Sequence, residues 1–296
     1  MGQLLIRQST QRYAARKVGR LKEGKVSELR SWAFYTEPEK LKVAGVDVAY
    51  RRKGSGAPVV YFHGAGLTRR WLPFYDAMAA HADVIVPEHP GFGDTPMPDW
   101  LEDFDDINLH YEQFFDELGL DRFHLVGHSL GGWMAAHYAV FFSRRLSSLQ
   151  LITPAGLRGS LLNDPFRQTG EEALERVFNG EAHAYPEYLE GDERVEQLVQ
   201  DYAELTAQAR LMWNPRYDPR LERRLARVRT PTRVITVDED RIMSADVALQ
   251  YASLIPGAET AKIHGSTRAT SHVPYVQEPE ALASLVLEFV NRHSEA

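Results

Sequence analysis

The 296-residue chain contains no cysteine. That excludes disulfide cross-links, thiolate metal sites, iron–sulfur clusters and a cysteine nucleophile. Long apolar runs are missing too, and nothing approaches the ~20 residues that span a bilayer, so no integral-membrane segment is expected. The apolar run in MGQLLIRQST is too short for a signal-peptide core and leads to no small-residue cleavage site. Ile6 stands where an N-myristoylation pattern needs Ser or Thr. These absences make the cytoplasm the expected location. Basic charge is scarce: 34 Lys and Arg against 41 Asp and Glu give a net charge of −7, so a nucleic-acid partner is not expected. Residues 1–30 are the exception, with eight Lys/Arg against two Asp/Glu. We read residues 1–40 as a basic arm, either solvated or an amphipathic helix docked on an anionic surface or a partner subunit. Docking on a partner is compatible with a homodimer.

What is present has a regular rhythm. KVAGVDVAYRRKG (42–54) alternates like an edge strand. APVVYFHG opens on a continuous apolar run, as a strand buried on both faces of a parallel sheet does, and DVIVPEHPGFG, RFHLVG, LSSLQLIT and TRVITV read as further strands of the same kind. Helical segments fall between them; in DDINLHYEQFFDELGL, Ile107, Tyr111, Phe114, Phe115 and Leu118 share a face and Gly119 stands at the stop. The alternation predicts a doubly wound, mostly parallel α/β sheet. Residues 157–228 break the rhythm, being helical, charged and rich in large aromatics. We divide the chain into a core (41–156 and 229–296) and a helical cap (157–228).

The sharpest chemical signal is Gly127-His128-Ser129-Leu130-Gly131, a G-x-S-x-G sequence between a buried strand and an apolar helix. A strand-to-helix turn this tight forces the serine into a strained conformation, and glycine at 127 and 131 removes β-carbons that would collide. The helix aims its free N–H groups at charge developing near Ser129. A tetrahedral intermediate needs two such donors. The amide of Leu130 supplies one, and the loop after His63-Gly64 supplies the other, best from Ala65. His63 itself reads as a brace for that loop.

FHGAG, EHPGFGDT, LVGHSLGG and SHVPYVQEPE together resemble the α/β-hydrolase superfamily, in its cap-bearing branch of esterases, lactonases and C–C bond hydrolases, over about residues 42–292. The resemblance implies a triad in chain order nucleophile, acid, histidine, with the acid after the strand that follows the cap. Asp238, Glu239 and Asp240 are the candidates. Relatives show Gly-x-x-Asp with an aliphatic residue two places on; Val237 replaces that glycine, while Asp240 and Ile242 match, so Asp240 is preferred and Asp238 is its rival. The family's His-x-Pro lead into a final Pro-Glu helix falls on His272, Pro274, Pro279 and Glu280, which makes His272 the base and leaves His264 structural. Gly265 to His272 is seven residues where relatives have about three, a longer loop that would enlarge or gate the site.

On this reading Ser129 attacks a carbonyl, His272 takes and returns its proton, and Asp240 fixes the imidazole tautomer. No metal or organic cofactor is needed. Serine rather than aspartate at 129 argues against the dehalogenase and epoxide-hydrolase members. Gly64, Leu67, Trp71 and Trp133 on the core side are expected to contact substrate. In the cap the candidate is Trp213, with Phe166, Phe178, Tyr185, Tyr188, Met212 and Tyr217 around it. This set implies a medium-sized, largely apolar small molecule. The expected activity is carboxylic ester or lactone hydrolysis. Cleavage of carbon–carbon bonds in dienoic diketones and non-catalytic ligand reception are the alternatives.

Overall fold

The computed structural model describes residues 33–159, 164–189, 194–213 and 215–294. All of the basic arm before residue 33 lies outside them. Strands β1 (Glu39–Val43) and β2 (Val46–Gly54) come first, then β3 (Pro58–Phe62), helix α1 (Pro73–Ala79) and β4 (Asp83–Pro87). Helix α2 (Phe104–Glu117), β5 (Phe123–His128), α3 (Leu130–Phe142) and β6 (Leu146–Ile152) follow. Between β6 and the next strand lie α4 (Gly170–Val177), α5 (Pro186–Leu189), α6 (Arg194–Met212) and α7 (Leu221–Leu225). The chain closes with β7 (Thr232–Thr236), α8 (Ala245–Leu254), β8 (Glu259–Lys262), α9 (Pro274–Gln277) and α10 (Pro279–Arg292).

The eight strands form one sheet in the order β1-β2-β4-β3-β5-β6-β7-β8. Every pair from β4 to β8 is parallel, and only β1–β2 and β2–β4 are antiparallel. One expectation is corrected here. Residues 42–54 are not a single edge strand, because Ala44 (φ 49°) and Gly45 (φ 84°) turn the chain back. Two successive positive φ angles are what a two-residue hairpin requires, so β1 takes the edge and β2 lies inside it.

Alternation along the buried strands feeds two cores. Val60 and Phe62 of β3 face α2 and α3, whose Tyr111, Phe114, Phe115 and Met134 are fully buried. Val59 and Tyr61 face the other way, onto Phe74 and Met78 of α1 and Leu282 and Val286 of α10. Burial of this kind is worth about 1.5–3 kcal/mol per large apolar side chain, and it fixes the register because a one-residue slip would exchange the faces.

The chain leaves β3 toward β4 on one side and later returns to place β5 on the other. That reversal opens a crevice at the carboxyl ends of the parallel strands, where ligands bind in open α/β sheets. The helices between β6 and β7 start from their own signals: a capping box formed by Thr169 and Glu172 begins α4. Helix α7 packs on α3 and α8. No helix among the described residues is long and apolar enough to cross a membrane.

Candidate active site

Ser129 stands between the last residue of β5 and the first of α3, with φ 52° and ψ −114°. A non-glycine residue held there costs about 1–3 kcal/mol and persists only where its surroundings over-determine it. They do. Its N–H donates to Ile152 O (3.0 Å), and its carbonyl accepts from Trp133 N (3.1 Å) and Ala155 N (3.0 Å). Gly131 lets the helix approach β3: a β-carbon there would lie 2.2 Å from Phe62 O and 2.4 Å from His63 O.

His272 Nε2 is 2.9 Å from Ser129 Oγ, and its Nδ1 is 2.8 Å from Asp240 Oδ2. Imidazole and carboxylate are both nearly inaccessible, at 6% and 5%. Asp240 Oδ1 accepts from the amides of Ile242 and Met243, each at 2.8 Å. Burial alone would raise the Asp240 pKa, but the opposing pull of His272 and of those two amides brings it below the usual carboxylate range. An ionised Asp240 accepts the Nδ1 proton and leaves the Nε2 lone pair facing the serine.

Asp238, the rival acid, has other partners. Its Oδ2 accepts from Gly265 N (2.9 Å) and Thr270 N (3.1 Å), and its Oδ1 lies 2.7 Å from His264 Nδ1. It therefore closes the loop that carries His272. That loop is tied along its length. Ser266 donates twice to Glu278 (2.7 and 2.8 Å), Ser271 twice to Gln277 (2.6 and 2.9 Å), and Arg268 reaches Glu181 at 3.3 Å. His264 sits 70% exposed on the rim, against Asp238.

Gly64 passes directly over the nucleophile: a β-carbon on it would be 3.3 Å from Ser129 Cβ and 2.5 Å from His128 Nδ1. Ala65 follows, exposed. Leu130 is the first residue of α3, a position whose N–H has no intrahelical acceptor. The loop is braced from below. His63 Nδ1 donates to Gly64 O (2.6 Å), His63 Nε2 accepts from His89 N (3.1 Å), and His89 Nε2 donates to His63 O (2.8 Å). Burial pushes His63 down to about 4 and His89 well below its ordinary value. His128 is held at about 3, by burial first and then by the neighbouring His272. As a neutral ring its Nε2–H donates to His272 O at 2.7 Å. Sequence reading gave His128 no such part; the only local signal was its place beside the nucleophile.

The aromatic candidates each have neighbours within the fold. Trp133 is 2% exposed, stacked on Phe104 at 4.4 Å and closed over by Gly156. Trp71 donates its indole N–H to Asp76 at 2.8 Å and packs on Tyr75. Trp213 is 60% exposed and lies on Phe166 and Arg216. The three indoles thus lie in different surroundings, Trp133 within the core, Trp71 at its edge and Trp213 open to solvent. Phe178 stacks on Tyr185, Tyr188 on Phe34, and Tyr217 under Arg158. Leu67 stays half-buried on the loop after Gly64 with φ 55°. Among the described residues no group of three His, Asp or Glu is placed to hold a metal ion.

The model of the α/β hydrolase family matches residues 59–285. The chain belongs to that family. This α/β hydrolase is 28% identical, over 268 residues, to 2-hydroxy-6-oxononadienedioate/2-hydroxy-6-oxononatrienedioate hydrolase of Burkholderia vietnamiensis, covering 83% of the chain and 91% of that relative. It is 33% identical over 134 residues to the dihydrolipoyllysine-residue acetyltransferase component of the acetoin cleaving system of Pseudomonas putida. That match takes in 44% of the chain but only 36% of the relative's length. Among solved structures it resembles the meta-cleavage product hydrolase CumD of Pseudomonas fluorescens IP01 (TM-score 0.69, 24% identity, 86% of this chain and 98% of that one).

Proposed function

We propose that this α/β hydrolase cleaves carboxylic esters or lactones through an acyl-enzyme on Ser129. The observation that carries the reading is the unbroken contact from Ser129 Oγ through His272 to Asp240, at 2.9 and 2.8 Å, on a serine whose backbone strain exposes it at the crevice. As Oγ attacks the carbonyl carbon, His272 Nε2 takes its proton and Asp240 offsets the imidazolium charge. The carbonyl oxygen, now anionic, is received by the amides of Leu130 and Ala65. His272 then protonates the departing alkoxide, activates a water, and the second half-reaction returns the serine.

An oxygen leaving group needs one proton, and His272 supplies it. The other histidines beside the nucleophile, His63 and His128, are neutral and committed to backbone partners. The substrate we infer is of medium size and largely apolar.

A second reading rests on the relative from Burkholderia vietnamiensis, which covers most of the chain and is named a nonadienedioate/nonatrienedioate hydrolase. The same triad serves a carbon–carbon cleavage, in which a carbon rather than an oxygen of the leaving group takes up the proton. A panel of p-nitrophenyl esters, lactones and a chromogenic dienoate separates the two. Turnover of esters or lactones, abolished in Ser129→Ala, supports the first reading. Consumption of the dienoate alone supports the second, and retention of full activity by Ser129→Ala sinks both.

A further inference from the structure

The loop after β3 is more strained than its sequence suggests. Gly66, Leu67 and Arg69 have φ of 89°, 55° and 63°, and only one of the three is glycine. A run of this kind relaxes unless its surroundings hold it. Two buried carboxylates converge on it. Glu88, at the end of β4, accepts from Arg69 N (2.8 Å) and Asp94 N (2.5 Å) and is paired with Arg51 at 2.7 Å. The other is Glu204, which belongs to α6 and is only 3% exposed. Its Oε1 accepts from Thr68 Oγ1 at 2.6 Å, from Gln200 Nε2 at 2.6 Å and from Gly93 N at 3.1 Å.

We propose that Glu204 is a positioning residue: it fastens the helix inserted between β6 and β7 to the strained loop and so holds the Ala65 amide over Ser129. The proposal rests on the functional reading above for the role of Ala65, and on geometry for the rest. Thr68 is three residues beyond Ala65, and Gly93 lies on the neighbouring loop after β4, so one oxygen ties both crevice loops to α6. A carboxylate buried so thoroughly is an expensive choice for a helix residue. Burial raises its pKa, and the Thr68, Gln200 and Gly93 donors counter that only in part. A leucine there would cover the same surface but could accept nothing from Thr68. In effect the inserted helices act on the acyl-transfer step itself as well as on substrate access.

Three variants of the full chain test this: Glu204→Ala, Glu204→Gln and Thr68→Val. Two readouts are used that do not depend on which ester is turned over: amide hydrogen exchange of residues 64–69, and the rate at which a fluorophosphonate labels Ser129. Glu204→Ala is expected to speed exchange of that loop about tenfold or more and to slow labelling about 10- to 100-fold, less than the ~10²–10³ of outright loss of an oxyanion donor because the Ala65 amide is loosened rather than removed. Where an ester substrate is known, the loss falls on kcat with KM within about threefold. Glu204→Gln keeps an oxygen acceptor and restores both readouts to within about threefold of wild type. Thr68→Val removes the same bond without touching α6, and moves both readouts in the direction of Glu204→Ala even if that variant does not fold. Wild-type exchange and labelling in both Glu204→Ala and Thr68→Val would overturn the proposal, as would a Glu204→Gln as slow as Glu204→Ala. Normal fluorophosphonate labelling of wild type with no turnover of esters, lactones or dienoate would overturn the functional reading alone.

Discussion

Replacing Asp240 by asparagine should inactivate the protein for a reason the hydrogen bonds dictate. Asp240 Oδ1 accepts from two backbone amides at 2.8 Å each, so the carboxamide oxygen of an Asn must stay there. Its NH2 group is then forced to face His272 Nδ1, where Asp240 Oδ2 now sits at 2.8 Å. Nδ1 must accept, the ring proton moves to Nε2, and the lone pair that would take the Ser129 proton is gone. The expected loss in kcat is about 10³–10⁴, or ~4–5.5 kcal/mol of transition-state stabilisation. The fold should barely notice, because both backbone bonds survive. Asp238→Asn is the control. It weakens the ties to Gly265, Thr270 and His264, so kcat/KM should stay within about fivefold while stability drops about 1–2 kcal/mol, a Tm shift of ~2–6 °C. The assay is steady-state hydrolysis of the best p-nitrophenyl ester near neutral pH, with thermal unfolding of each variant alongside. The reasoning fails if Asp240→Asn keeps more than about a tenth of wild-type kcat, or if Asp238→Asn loses as much.

Other consequences are testable by simpler means. Gly131→Ala would drive a β-carbon against the backbone oxygens of Phe62 and His63, so its denaturation midpoint should fall by about 2–3 kcal/mol equivalent; wild-type stability would show that α3 has room to shift. Acid should destabilise the fold from well above the carboxylate range. Burial holds His63, His110 and His124 at about 4, His128 at about 3 and His89 well below its ordinary value. Between those values and the unfolded pKa near 6.5, the unfolded chain binds more protons than the folded one, so stability rises with pH and falls on acidification. Each such histidine contributes at most about 1.4 kcal/mol per pH unit below about 6.5. Glu88 and Glu204, shifted upward by burial, titrate in the opposite sense and offset part of it. A Tm that stayed flat from pH 7 to pH 5 would contradict the neutral assignment.

How much of this was legible in the chain depended on how local each cause was. The turn at Ser129 could be read because strain and close approach at 127 and 131 are properties of adjacent residues. The parallel strands could be read because apolar runs buried on both faces have no alternation. Choosing Asp240 over Asp238 needed the resembled family's Gly-x-x-Asp pattern, with Ile242 matching the aliphatic residue two places on; the two are separated physically by which one meets His272, a contact 32 residues away. The β1–β2 hairpin was missed because Ala44-Gly45 is a weak turn signal inside an alternating stretch. The surroundings of Trp71, Trp133 and Trp213 could not be read, because an aromatic side chain looks the same in sequence whether or not it has a neighbour such as Phe104. Glu204 was invisible for the complementary reason: in QDYAEL it looks like any acidic helix residue, and its partners Thr68 and Gly93 lie more than a hundred residues earlier.

The central claim is that Ser129 is made nucleophilic by His272. The most direct measurement is mass-spectrometric mapping of a fluorophosphonate adduct on wild type and on His272→Ala under identical exposure. The account predicts a single adduct on Ser129 in wild type and labelling slowed about 10³-fold or more in the variant. An adduct on another residue, or equal labelling of Ser129 without His272, would contradict it.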